Sequence, residues 1–214
     1  MARPREFDEH AVLNAAMNHF WEHGYQATSM RDLAIETGLT SPSLYNAFGD
    51  KRALFRQVLE RYAQHSSRAR IARLESIMSP KDAIKAFITE IVEHSLSDKD
   101  RRGCLLVNSA LEIAPHDPEI GAEVATRLGE VEAFFRRSAI AAQKEGSIPA
   151  DRDSRDLARV LLAVLLGIRV VARARPERRL LEGMARPVLA MLDGPGDSSR
   201  EIAQRKEQQK RQAD

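Results

Sequence analysis

Ser41, Ser43, Tyr45 and Asn46 fall within six consecutive positions and carry two short hydroxyls, a phenol and a carboxamide. On a short helix such groups can donate to, and accept from, base edges and phosphate oxygens in a DNA major groove. Thr40 stands just before them. Lys51 follows at another helix start, where an ammonium beside free backbone N–H groups makes a phosphate clamp. Thr28, Ser29 and Arg31 lie upstream and are placed to hold phosphates of the opposite strand. A second chemistry centres on the single cysteine. Cys104 follows Arg101 and Arg102. A helix beginning there sets its dipole and two guanidinium groups near the thiol, which favours thiolate and reaction with oxidants or electrophiles. The alternative for Cys104 is a small buried packing residue.

Other chemistries find little support. His19 and His23 have a metal-like i, i+4 spacing but no third ligand nearby, and His94 and His116 are isolated. One cysteine excludes an intrachain disulfide and a cysteine-rich zinc site. No G-x-x-x-x-G-K, H-E-x-x-H or G-x-S-x-G run occurs. No enzymatic activity and no cofactor are therefore expected. The start, MARPREFDEH, is polar rather than signal-like. The longest apolar run, 160–168, is too short to cross a bilayer. A cytoplasmic protein with no membrane partner is expected.

The elements that must position these residues are helical. Of the 214 residues, 43% are hydrophobic, 30% charged and only 5% aromatic, and alternating strand patterns are scarce, so the chain reads as all-α. Net charge is +2, and the first 62 residues carry seven Lys/Arg against eight Asp/Glu. DNA binding must then rest on where charges sit, not on their sum. Asp8, Ser29, Thr40 and Asp50 read as N-caps of four successive helices, with Gly24, Gly38 and Gly49 as stops. The fourth is expected to run into the seventies. Further helices are expected over about 80–96, 104–114, 118–145, 155–174 and 177–192. The remaining tail, 193–214, is polar with no apolar stripe and is expected to be disordered.

The second and third of these helices fit a helix-turn-helix. Ala34 is small where the helices cross, Gly38 supplies the turn, and Leu33, Leu39 and Leu44 make a small core. Residues 10–55 resemble the DNA-binding domain of the TetR family of bacterial transcription regulators. The matching positions are Phe20, Gly24, Tyr25, Thr28, Ser29, Ala34, Gly38, Leu44, Tyr45, Phe48, Lys51, Leu54 and Phe55. Pro42 departs from the pattern, since Lys, Gly or Arg is usual near that point. The resemblance implies phosphate contacts from Thr28, Tyr45 and Lys51, and a base-reading edge of Ser41, Pro42, Ser43 and Asn46. RRGCLLVN resembles a subgroup in which such a run begins the sixth helix.

The resemblance further implies about nine helices, arranged as a DNA-binding domain over 8–55, helix four linking to about 75, and an effector-binding and dimerisation domain over 76–192. The segment ARVLLAVLLGIRVVARA is apolar on nearly every side up to Arg169, so a partner subunit is expected to cover it; the alternative is a central core helix. The last helix offers a stripe of Leu180, Leu181, Met184, Val188, Leu189 and Leu192, and two such helices per subunit make a four-helix interface. Phe87, Phe134, Phe135 and Met78 are candidates for an effector pocket. The expected function is a homodimeric repressor, released from a palindromic double-stranded DNA operator by a small-molecule effector. Three alternatives stay open: a redox or electrophile switch through Cys104, an all-α enzyme, and a helical interaction protein without DNA binding.

Overall fold

The computed structural model describes residues 7–193. The polar tail from 194 onward lies outside them. Among the described residues every regular element is helical. Helix α1 (Glu9–His23), α2 (Met30–Thr37), α3 (Ser41–Phe48) and α4 (Lys51–Ala63) come first. A π-helical turn (Gln64–Arg68) then leads straight into α5 (Ala69–Ile77). The long fourth helix expected from the sequence is this unbroken succession. Its irregular middle was not foreseen. There the Ser66 hydroxyl donates to the Tyr62 carbonyl at 2.6 Å and the Ser67 hydroxyl to that of Ala63 at 3.4 Å. Such back-bonding competes with the helical ladder. Helices α6 (Pro80–Ser97), α7 (Leu105–Glu112), α8 (Pro118–Lys144), α9 (Ser154–Ala174) and α10 (Arg178–Ala190) complete the order.

The caps form as the residue types dictate. The Asp8, Thr40 and Asp50 side chains accept from N–H groups of the first turns they precede. Ser29 and Asp32 make a reciprocal capping box. Gly38 takes a left-handed conformation (φ 70°, ψ 13°), and the Leu39 N–H returns to the Ala34 carbonyl at 3.1 Å. This closes α2 tightly enough to turn the chain into α3.

The buried apolar residues divide into two clusters. One gathers α1–α4 with Leu105, Leu106, Ile113, Ile120 and Val124. The other gathers α5, α6, most of α8, α9 and α10. Helix α7 and the first turns of α8 thus share a core with the N-terminal helices, although they come much later in the chain. Paired side chains reinforce the junction. Arg52 donates twice to Asp117, at 2.7 Å each, and the Arg68 guanidinium forks onto Glu130 at 2.7 and 2.8 Å.

Helix α9 is covered on one side only within a single chain. Leu157, Leu161, Leu165 and Ile168 are buried, and so is Arg169 (3% exposed), which the sequence offers as the first polar break. Across the helix, Val160 and Val170 stand 39% and 45% exposed, in one row with Ala163, Val164, Gly167 and Val171. A Cβ on Gly167 would lie 3.4 Å from Met184 Cε, so the α9 row continues onto α10, where Leu180, Met184 and Pro187 lead to Met191.

Candidate nucleic-acid interface and effector cavity

Helix α3 is anchored by Leu44 (0% exposed) and Phe48 (3%), which share one face at i and i+4. That anchoring turns the opposite face outward. Pro42, Ser43, Tyr45 and Asn46 are exposed, with Ser41 half-buried beside them. Pro42 sits in the first turn, where its missing N–H leaves no bond unmade. Arg31 is exposed on α2. Ser43, Tyr45 and Asn46 thus give the outward face of α3 a polar edge, and a helix is an element that a major groove admits.

Four of the expected contacts are already engaged within the fold. Thr28 is buried (2% exposed) and its hydroxyl donates to the Gly24 carbonyl at 2.7 Å. The Ser29 hydroxyl donates to Asp32 at 2.6 Å. Thr40 Oγ1 lies 2.8 Å from Ser43 Oγ and accepts from the Ser43 N–H. Lys51 is directed inward: its ammonium donates to the carbonyls of Tyr25 (3.0 Å) and Thr28 (2.9 Å) and lies 4.2 Å from the Tyr25 ring centroid. Burial pushes its pKa down, and the Glu112 charge acts the other way. Thr40 serves as the N-cap of α3, and the other three share one physical reason. A tight turn between α1 and α2 leaves carbonyls and N–H groups without helical partners, and the nearest polar side chains satisfy them.

A residue the sequence reading missed completes this turn. Glu112, at the end of α7, accepts from the backbone N–H groups of Tyr25 (3.2 Å) and Gln26 (2.7 Å). The α1–α2 turn is therefore gripped from both sides, its carbonyls by Lys51 and its N–H groups by Glu112. No local pattern announces a partner 86 residues away. Glu112→Ala leaves two N–H groups to water and severs the link from α7. Its expected result is roughly tenfold weaker DNA binding with a far-ultraviolet spectrum like wild type; unchanged affinity in fluorescence anisotropy would refute the link.

At its other end α7 borders an internal cavity. Cys104 is the N-cap of α7, half-buried, and the Tyr62 hydroxyl donates to its Sγ at 3.5 Å. Cys104, Tyr62, Ser66, Phe87, Leu162 and Arg169 are among the lining residues. Burial pushes the Tyr62 phenol far above its ordinary pKa, so it is a neutral donor. Of the aromatic candidates, Phe87 faces this cavity. Phe134 and Phe135 are fully buried core and pack against Phe87, tilted and edge-on, with ring centroids 5.3 and 5.4 Å away. Met78 is 40% exposed and borders a separate surface groove. Among the described residues no helix is long and apolar enough to cross a membrane, and no group of His, Cys, Asp or Glu is arranged to hold a metal ion.

A short capped helix pair with an exposed polar edge, set on a helical domain with its own core and cavity, defines a helix-turn-helix regulator. The chain belongs to the TetR family of bacterial regulatory proteins, whose model matches residues 12–58, while a tetracyclin repressor-like C-terminal domain matches residues 80–187. It is 33% identical to the HTH-type transcriptional regulator YezE of Bacillus subtilis over 90% of this chain and all of that protein. It is also 33% identical to the HTH-type transcriptional repressor ComR of Escherichia coli, over 80% of this chain and 82% of that one. Among solved structures, the TetR family regulator CifR, a cysteine mutant complexed with 26-base-pair double-strand operator DNA, superposes with TM-score 0.78 at 34% identity, covering 88% of this chain and 99% of that one.

Proposed function

We propose that the protein is a homodimeric repressor that holds a palindromic operator through α3 and is released when a small effector occupies the cavity beneath α7. The observation that carries the reading is the outward edge Pro42, Ser43, Tyr45 and Asn46, fixed in direction by Leu44 and Phe48. Thr28, Ser29, Thr40 and Lys51 are assigned mainly to shaping the turns that present this edge, because their polar atoms already have partners; the Ser43 hydroxyl shares the Thr40 bond but stays on the outward face of α3. Arg31 remains a phosphate contact. Dimerisation is supported by the apolar row on α9 and α10, which one chain leaves open to water. Two copies joined there carry two recognition helices for two half-sites. Release needs only an effector that binds better to the state with the wrong helix spacing.

The test is binding of purified protein to DNA from its own promoter region across a salt series. Tight, salt-sensitive, sequence-specific binding is expected; its absence would leave an enzyme or a plain interaction protein. Tyr45→Phe is expected to weaken all sequences alike, as loss of a phosphate contact does. Asn46→Ala is expected to cost about 1–3 kcal/mol at particular base pairs only. Uniform weakening by Asn46→Ala would end its base-reading role.

A second reading keeps the fold and makes Cys104 the switch. The thiol's place in the cavity wall, at the start of the helix whose far end holds the α1–α2 turn, favours it. A mild oxidant that releases wild type but not Cys104→Ser from DNA would establish it. Release of both would return Cys104 to packing.

A further inference from the structure

We infer that the effector is a small organic anion, a carboxylate with an apolar body, held by Arg169. This rests on the reading of the cavity as the effector site and names the chemistry of its ligand. Arg169 is 3% exposed and lines the cavity from α9. It makes hydrogen bonds to neutral acceptors, Ser95 Oγ at 3.1 Å and the Gly103 carbonyl at 2.8 Å. Among the described residues no carboxylate lies within ion-pair distance of it, although most other buried or half-buried arginines have one. The neighbouring Arg70 is paired at 3.0 Å with Glu90, a carboxylate it shares with Arg73 (2.6 Å), which leaves Arg169 as the cavity arginine without a carboxylate partner. Burial, followed by the charges of Arg169 and Arg70, pushes the His94 imidazole pKa down against the pull of Asp98.

A buried cation without an anion is costly, and a carboxylate meets it with a short, charge-assisted, forked bond. The Tyr62 hydroxyl, kept neutral by burial, can exchange its long bond to Cys104 Sγ (3.5 Å) for one to the anion, while Phe87 and Leu162 offer an apolar wall. The cavity has a volume of about 40 Å³, room for little more than water. An organic anion must therefore enlarge it, so the bound state differs from the one described. The direction of that change follows from the bonds Arg169 would exchange. Its grip on Gly103 fixes the loop that enters α7, together with Arg173, which donates to the Arg101 carbonyl and to Asn108 Oδ1. Gly103 takes φ 74°, and an added Cβ would sit 2.8 Å from Arg173 Cδ, so this loop is packed without slack. An anion that draws Arg169 off Gly103 frees the start of α7, and the far end of α7 carries Glu112 and its hold on the α1–α2 turn.

The experiment uses butyrate, hexanoate, octanoate and benzoate against the matching primary alcohols. Two readouts are taken on the full chain: thermal midpoint without DNA, and competition of labelled operator by anisotropy. At least one carboxylate is expected to raise the midpoint and to weaken operator binding at least tenfold, with its alcohol inert. Arg169→Gln is expected to abolish both responses. Ser95→Ala, which removes a competing acceptor, is expected to tighten carboxylate binding roughly tenfold; it decides the matter if Arg169→Gln does not fold. Alcohols acting as well as acids, no carboxylate shifting the midpoint, or an unaltered response in both variants would overturn the assignment. Failure of the unliganded protein to bind its promoter DNA would instead defeat the regulator reading, and the midpoint arm would still judge the anion.

Discussion

Val170→Glu is expected to yield a folded monomer that binds its operator at least a hundredfold more weakly than wild type. Val170 is 45% exposed in the single chain and stands in the row that runs through Gly167, Val164 and Val160. An isologous interface brings the same row from both subunits together, so one substitution introduces two carboxylates near the two-fold axis. The next cation along the helix, Arg173, is already engaged by the Arg101 carbonyl and Asn108 Oδ1, and burying unpaired charge costs several kcal/mol each. Separation of the subunits separates the two recognition helices. Binding of the second half-site then loses the effective concentration that linkage supplies, a factor of about 10²–10⁴. Sedimentation velocity gives the mass, anisotropy on full and half operators gives the affinity, and circular dichroism checks the fold. A Val170→Glu protein that remains dimeric at micromolar concentration would place the interface elsewhere.

What the sequence made legible was local. Caps at Asp8, Ser29, Thr40 and Asp50 and the left-handed turn at Gly38 are decided by residues within four positions, and all formed. The polar residues of α3 beside Leu44 were expected to face outward, and Pro42, Ser43, Tyr45 and Asn46 are exposed with Leu44 buried. What escaped was decided across the chain. Lys51 reads as an exposed clamp beside a helix start, yet its side chain turns back over Tyr25 because two carbonyls await it there. Thr28 is polar and near the DNA-facing helices, yet it spends its hydroxyl on Gly24. Arg169 reads as the end of an apolar run, and only the arrangement of α6, α9 and the α7 approach shows it buried. Glu112 had no local signal at all. Polar residues that settle long-range backbone bonds look, in sequence, like surface residues.

The division of the cores makes a second large effect predictable. Phe55→Ala is expected to cost about 3–5 kcal/mol of stability in the N-terminal half and to abolish operator binding while leaving the dimer intact. Phe55 is 1% exposed, with its ring 4.8 Å from those of Phe20 and Tyr25. Truncation opens a cavity between α1, the α1–α2 turn and α4, which the surrounding aromatics cannot close without moving the turn that Lys51 and Glu112 hold. Because Leu105, Leu106 and Ile113 belong to the same cluster, α7 is expected to loosen with it. Phe87, Phe134 and Phe135 belong to the other cluster, and so do the buried residues of α9 and α10 beneath the proposed interface. Chemical denaturation followed at 222 nm should then split into an early step for the N-terminal cluster and a late one for the C-terminal cluster. Sedimentation between the two steps should still show a dimer. A single transition in which Phe55→Ala also dissociates the dimer would mean that the two clusters unfold as one unit, and that α7 transmits more than the hold of Glu112 on the turn.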